Sequence, residues 1–85
     1  MKTYAYTILI HPADPDEGGF WVEVPALPGC FTQGETVEEC VDRAHEAIAC
    51  YIEGLLKDGE PVPLEPQPTI QPTTSLRISV PVATA

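Results

Sequence analysis

The stretch "TVEECVDRAHEAIACYIEGLLKDGEP", Thr36 to Pro61, decides the fold. Thr36 and Glu39 stand at the spacing of a capping box, in which the hydroxyl accepts from the amide three residues on and the carboxylate reaches back. Glu38 and Glu39 suit the positive end of a helix dipole. Val37, Cys40, Val41, Ala44, Ala47, Ile48, Tyr51, Ile52, Leu55 and Leu56 recur at helical spacing and form one broad apolar stripe. Glu39, Asp42, Glu46 and Glu53 take the opposite side. Arg43 and Lys57 follow Glu39 and Glu53 by four residues, the favourable order for ion pairs. Gly59 supplies a left-handed stop and Pro61 prevents continuation, while Gly54 weakens the last turns. A lone amphipathic helix needs an apolar surface to pack on, and the rest of the chain must provide it.

Upstream, "TYAYTILI", Thr3 to Ile10, is rich in β-branched and aromatic residues and reads as a strand. "HPADPDEGG" is a loop by its prolines, acids and glycine pair. "FWVEV", Phe20 to Val24, alternates: Phe20, Val22 and Val24 face one way, Trp21 and Glu23 the other. The two strands predict an antiparallel hairpin. Pro25 ends the second strand, Pro28-Gly29 marks a turn, and "CFTQG", Cys30 to Gly34, is a short third strand. Downstream, "PVPLEPQPTIQPTT", Pro61 to Thr74, carries five prolines and reads as an extended, stiff segment near polyproline II. "LRISV", Leu76 to Val80, alternates as a last strand, paired in its own sheet or with a neighbour's. The expected class is α+β: a small antiparallel or mixed β-sheet with one helix packed on one face, in the order β-β-β-α-β. The expected organisation is a core over residues 1–60, a proline-rich linker over 61–74, and a last strand with C-terminal tail over 75–85 of the same domain.

Eighty-five residues make one domain with a thin core, and a homo-oligomer, dimer or tetramer, is the common remedy. Thirteen acids against four bases (Lys2, Arg43, Lys57 and Arg77) give a net charge of −9. Such a chain repels nucleic acid and anionic membranes. It steers basic partners inward, or its charge simply keeps it soluble. No apolar run has the length of a membrane span, and the N-terminus reads as a strand rather than a signal peptide. Three cysteines do not close a disulfide framework. Reduced thiols and a cytoplasmic location are expected.

The candidate chemistry is thin. Cys30 follows Pro28-Gly29 and precedes the helix, but a reactive thiol needs a lowered pKa and a nearby base. The nearest histidine in sequence, His45, lies inside the helix. Cys30 and Cys40 read as small core residues, and Cys50 points off the stripe, too far along the helix from Cys40 to share a metal. An EF-hand starting at Asp14 would need its bidentate Glu where Pro25 stands. No catalytic residue, metal or cofactor is expected.

The hairpin with Gly18-Gly19 before an aromatic, "VEVPALPGC" (Val22 to Cys30), "TQGETVEE" (Thr32 to Glu39), "RAHEAI" (Arg43 to Ile48) and "DGEPVP" (Asp58 to Pro63) together resemble the HicB-like antitoxin family. Those features run from Tyr4 to about Leu64. The resemblance implies a degraded, partial ribonuclease-H-like fold and a partner, a small basic HicA-type toxin that cleaves messenger RNA, whose active site the antitoxin covers. Many members add a C-terminal DNA-binding domain; this chain stops short of one, so DNA binding is not carried over. The family usually has an acid where this chain has Ala26, which bears on how the loop is braced. Ribonuclease H chemistry needs metals held by clustered carboxylates, one central on the first strand, and "TYAYTILI" has none. The expected function is therefore non-enzymatic neutralisation of the toxin, with Trp21 and Glu23 as partner-binding residues: an aromatic anchor beside a carboxylate. The alternatives are an orphan oligomeric adaptor without a toxin and a metal-dependent nuclease.

Overall fold

In the computed structural model, which describes residues 2–83, α1 spans Val37–Lys57. The Thr36 hydroxyl accepts from the Glu39 amide at 3.1 Å. Only that half of the capping box forms, because the Glu39 carboxylate turns to Arg43 Nε at 3.4 Å. At the other end Gly59 has φ +70°, its amide donates to the Leu56 carbonyl at 3.2 Å, and the Glu60 amide donates to Leu55 at 2.8 Å. These two bonds make a Schellman stop. The buried face is the i, i+4 ridge Cys40, Ala44, Ile48 and Ile52. Val37 and Leu56, expected in the stripe, are exposed at its two ends.

The strands are β1 (Lys2–Pro12), β2 (Phe20–Glu23), β3 (Phe31–Gly34) and β4 (Thr74–Val82). They form one sheet in the order β3-β2-β1-β4, with every pairing antiparallel. β4 pairs with β1 of its own chain, from Lys2↔Val82 to Ile10↔Thr74. β2 stops one residue early and β3 starts one late, because Val24 and Cys30 are used to close the loop between them. The Val24 amide donates to Cys30, that of Leu27 to Val24, and that of Cys30 to Leu27, all at 3.0–3.1 Å. Ala26 contributes no acid to this loop; the Tyr51 hydroxyl braces it from the helix, donating to the Pro28 carbonyl at 2.8 Å.

Tyr4, Tyr6, Ile8, Ile10, Val22, Val24, Ile78, Val80 and Val82 join the helix ridge in one core. The small residues Cys40 and Ala44 let α1 start almost in contact with β3. A Cβ on Gly34 would fall 2.9 Å from the Cys40 amide nitrogen, so only glycine fits there.

Simple alternation fails along β1, where Tyr6 to Ile10 are all buried. Thr7 and Leu9 face away from the helix, and within residues 61–73, which have no regular secondary structure, the stretch from Glu65 onward lies over that side. Glu65 anchors this strap. Its Oε1 accepts from the Thr7 amide at 2.6 Å and from Arg77 Nη1 at 3.3 Å, its Oε2 accepts from the Thr69 hydroxyl at 2.7 Å, and its carbonyl accepts from Arg77 Nη2 at 2.6 Å. The Thr69 amide donates to Thr7 Oγ1, and the Thr73 hydroxyl to the Ile10 carbonyl.

On the helix side the Tyr6 hydroxyl donates to the Pro63 carbonyl at 2.6 Å. Burial, reinforced by nearby Tyr4 and Glu65, pushes the Tyr6 pKa up to about 12. The unfolded chain releases this proton near pH 10, so the native state holds one more proton between the two values. Stability from this group is complete below pH 10 and falls as pH rises toward 12. Tyr6→Phe is expected to remove that alkaline loss, on the order of 2–3 kcal/mol. Urea melts of both proteins from pH 9 to 12 measure it; parallel loss in the two would reject the assignment.

Candidate functional site

The face of β2 turned away from the helix carries Trp21 and Glu23, as the alternation of "FWVEV" requires. Cross-strand register then supplies their neighbours. Trp21 lies between His11 on β1 and Gln33 on β3, and Glu23 is opposite Phe31. The His11 and Trp21 rings stack, with centroids 4.2 Å apart and planes 23° from parallel. Trp21 and Phe31 tilt at 45°, with centroids 6.2 Å apart. His11 Nε2 lies 2.9 Å from Glu23 Oε1 and must donate, since the carboxylate only accepts.

The result is an exposed, ordered aromatic patch. Trp21 is 39% and Phe31 59% exposed, yet stacking and the His11–Glu23 bond hold the indole in one place. An anchor held in its bound orientation loses little entropy when a partner docks.

Trp21 also walls an open groove of about 510 Å³ between the β1–β2 loop and the start of α1. Asp14, Glu17, Glu35 and Glu39 line it against a single cation, Arg43. Gly19, at φ +75°, closes the loop against β3: a Cβ there would come 3.0 Å from the Gly34 carbonyl oxygen. Aromatic patch and acidic groove are continuous through Trp21, an arrangement that suits a cationic, partly apolar protein surface.

The sequence pointed to Trp21 and Glu23 but missed His11, Phe31 and the groove acids. His11 read only as the first residue of the hairpin loop. Its pairing was recoverable from the hairpin, because fixing the loop at Gly18-Gly19 fixes which β1 residue meets Trp21.

The remaining candidates take structural positions. Cys30 and Cys40 are buried and Cys50 is exposed. Burial pushes both buried thiols up, with Cys50 adding to the shift of Cys30 and Glu39 to that of Cys40. A raised thiol pKa works against nucleophilic use. His45 is half-buried on α1. Among the described residues no group of three or more His, Cys, Asp or Glu side chains is placed to hold a metal ion, and no helix is long and apolar enough to cross a membrane.

Residues 6–75 match the family model described as HicB_like antitoxin of bacterial toxin-antitoxin system. A UPF0150 protein of Thermoplasma acidophilum is 51% identical over 59 residues, 68% of this chain and 81% of the relative. Antitoxin HicB 1 of Photorhabdus laumondii is 34% identical over 80 residues, 94% of this chain but half of that protein. Among solved structures, the N-terminal domain of Burkholderia pseudomallei antitoxin HicB superposes with a TM-score of 0.65 at 25% identity, covering 94% of this chain and 99% of that one. A chain of the HicA3 and HicB3 toxin-antitoxin complex matches with the same TM-score at 26% identity, covering 94% and 99%.

Proposed function

Because this chain belongs to the HicB-like antitoxin family, we propose that it neutralises a small basic HicA-type toxin by covering the toxin's active site. The observation that carries the reading is the ordered aromatic patch at Trp21 opening into the acidic groove. The patch lies on the sheet face turned away from α1, and the groove runs from it to the first turns of α1. The partner is a protein, and the work is done without catalysis.

Two physical effects act in sequence. The charge of −9 draws a basic protein in over a Debye length and orients it. On contact, Glu23 and the groove acids pair with the Lys and Arg side chains that would otherwise hold RNA phosphates. Trp21, held by His11, fills an apolar pocket between those cations. Substrate RNA, itself an anion, is displaced by competition for the same charges and by bulk. The same negative field keeps this domain off nucleic acid, and the protein works in the cytoplasm with its thiols reduced.

Mixing the purified chain with a small basic HicA-type toxin tests the reading. A stoichiometric complex and loss of RNA cleavage are expected, with an association rate that falls steeply as salt rises. Full cleavage and no complex would end the proposal.

A further inference from the structure

Trp21 is the only tryptophan of the chain, and the ring stacked on it is titratable. His11 lies 4.2 Å from the indole, centroid to centroid, and gives its Nε2–H to Glu23 Oε1 at 2.9 Å. With Nε2 fixed as the donor, Nδ1 carries the lone pair of the neutral ring. Among the described residues Nδ1 has no hydrogen-bond partner. No buried side-chain nitrogen or oxygen among them lacks one, so Nδ1 is open to solvent and to a proton.

Histidine is the side chain whose charge ordinarily changes between about pH 5 and 8. What that change does here depends on the charges that face the ring. On β2, Glu23 is bonded to it directly. Beyond Trp21, β3 presents Phe31 and Gln33, neither of them charged. β4 begins opposite Ile10, and its one charge, Arg77, is held with Glu65 at Thr7, further along β1. The strap reaches this end of β1 through the uncharged Thr73. Asp14 and Glu17 of the hairpin loop line the groove, which Trp21 shares and His11 does not. Glu23 is therefore the acid that a proton on His11 acts upon.

Neutral His11 donates to a carboxylate that keeps its full charge. Protonated His11 turns the same contact into an ion pair with no net charge. The imidazolium also lies over the indole face, within the ~6 Å reach of a cation–π contact. A basic protein docking on this patch brings Lys or Arg toward Glu23. The imidazolium opposes it twice, because the acid is already neutralised and the incoming cation is repelled. The neutral form is thus the one a basic partner binds more tightly. Coupling of this kind is reciprocal: a proton on His11 weakens the partner by the same factor by which the partner weakens the proton.

We infer that His11, Trp21 and Glu23 form a proton-operated release at the partner face: protonation of His11 cancels the Glu23 charge and lowers the affinity for a basic protein as the surroundings acidify. The inference rests on the toxin reading and adds to it a dependence on pH.

Two measurements test it. An imidazolium in contact with an indole quenches its fluorescence more than a neutral imidazole does. Trp21 emission of the free chain should therefore fall as pH drops from about 8 to 5. His11→Gln keeps an amide donor toward Glu23 and takes up no proton, so its emission should stay level. Calorimetric titration with a small basic HicA-type toxin at about pH 5.5 and pH 8 reads the release. The wild-type chain should lose about tenfold more affinity on acidification than His11→Gln, the scale of one interfacial charge pair. Titration of the toxin's own groups is common to both chains and cancels. Level wild-type emission, or an equal pH response of the two chains, overturns the inference and leaves the toxin reading standing. No complex at either pH ends that reading and the release together. Should His11→Gln not fold, NMR of the His11 ring protons in the wild-type chain decides. They must titrate together with the emission in the free chain and at lower pH in the complex; an unchanged titration in the complex overturns the inference.

Discussion

Glu65→Ala is expected to destabilise the protein by about 3–4 kcal/mol. The substitution removes the acceptor of the Thr7 amide, of the Thr69 hydroxyl and of Arg77 Nη1 in one step. A buried amide left without a partner costs about 1–3 kcal/mol, and each bond to a charged group contributes about 1.5–3 kcal/mol. A domain of this size has a total stability of about 4–13 kcal/mol, so the loss reaches a large part of it. Glu65→Gln keeps an acceptor for Thr7 while losing the charge that faces Arg77, and should fall between. Urea unfolding of the three proteins measures the order; equal midpoints for wild type and Glu65→Ala would mean the strap contributes nothing.

Trp21→Ala should weaken the complex with the toxin by about 100-fold, the usual scale for a central aromatic anchor. Its effect on stability should stay within about 2 kcal/mol, because the indole is already partly open and packs chiefly on His11 and Phe31. Glu23→Gln separates charge from scaffold. The amide oxygen still accepts from His11, so the stack survives, while the carboxylate charge is lost. A slower, less salt-dependent association with unchanged thermal stability is the expected result. Titration calorimetry and stopped-flow mixing read both variants, and wild-type affinity in Trp21→Ala would remove this face from the interface.

Local signals were legible and remote ones were not. The helix could be placed from its apolar stripe, its Thr36 cap and Gly59, all of which act within a few residues. β2 could be oriented because four consecutive residues alternate. The strap could not be derived, because its anchor joins the Glu65 carboxylate to the Thr7 amide and the Arg77 guanidinium, 58 and 12 residues away. Polar groups so far apart leave no periodicity. A trace did exist: "TILI" is uninterrupted where a strand open on one side would alternate, and Leu9 had to be covered by something. The groove was hidden for a related reason. Asp14 and Glu17 come from a hairpin loop, Glu35 from the approach to α1 and Glu39 from its first turn, and the register of β2 on β3 unites them.

The longest ladder in the sheet joins the first strand to the last, with Lys2 opposite Val82. Strand closure over such a span is entropically slow, which places this protein among chains that fold in milliseconds to seconds rather than microseconds. On the ribosome β1 emerges well before β4, its main partner. Until β4 pairs, the aromatic-rich β1 is unshielded, a window in which chaperones would meet the nascent chain.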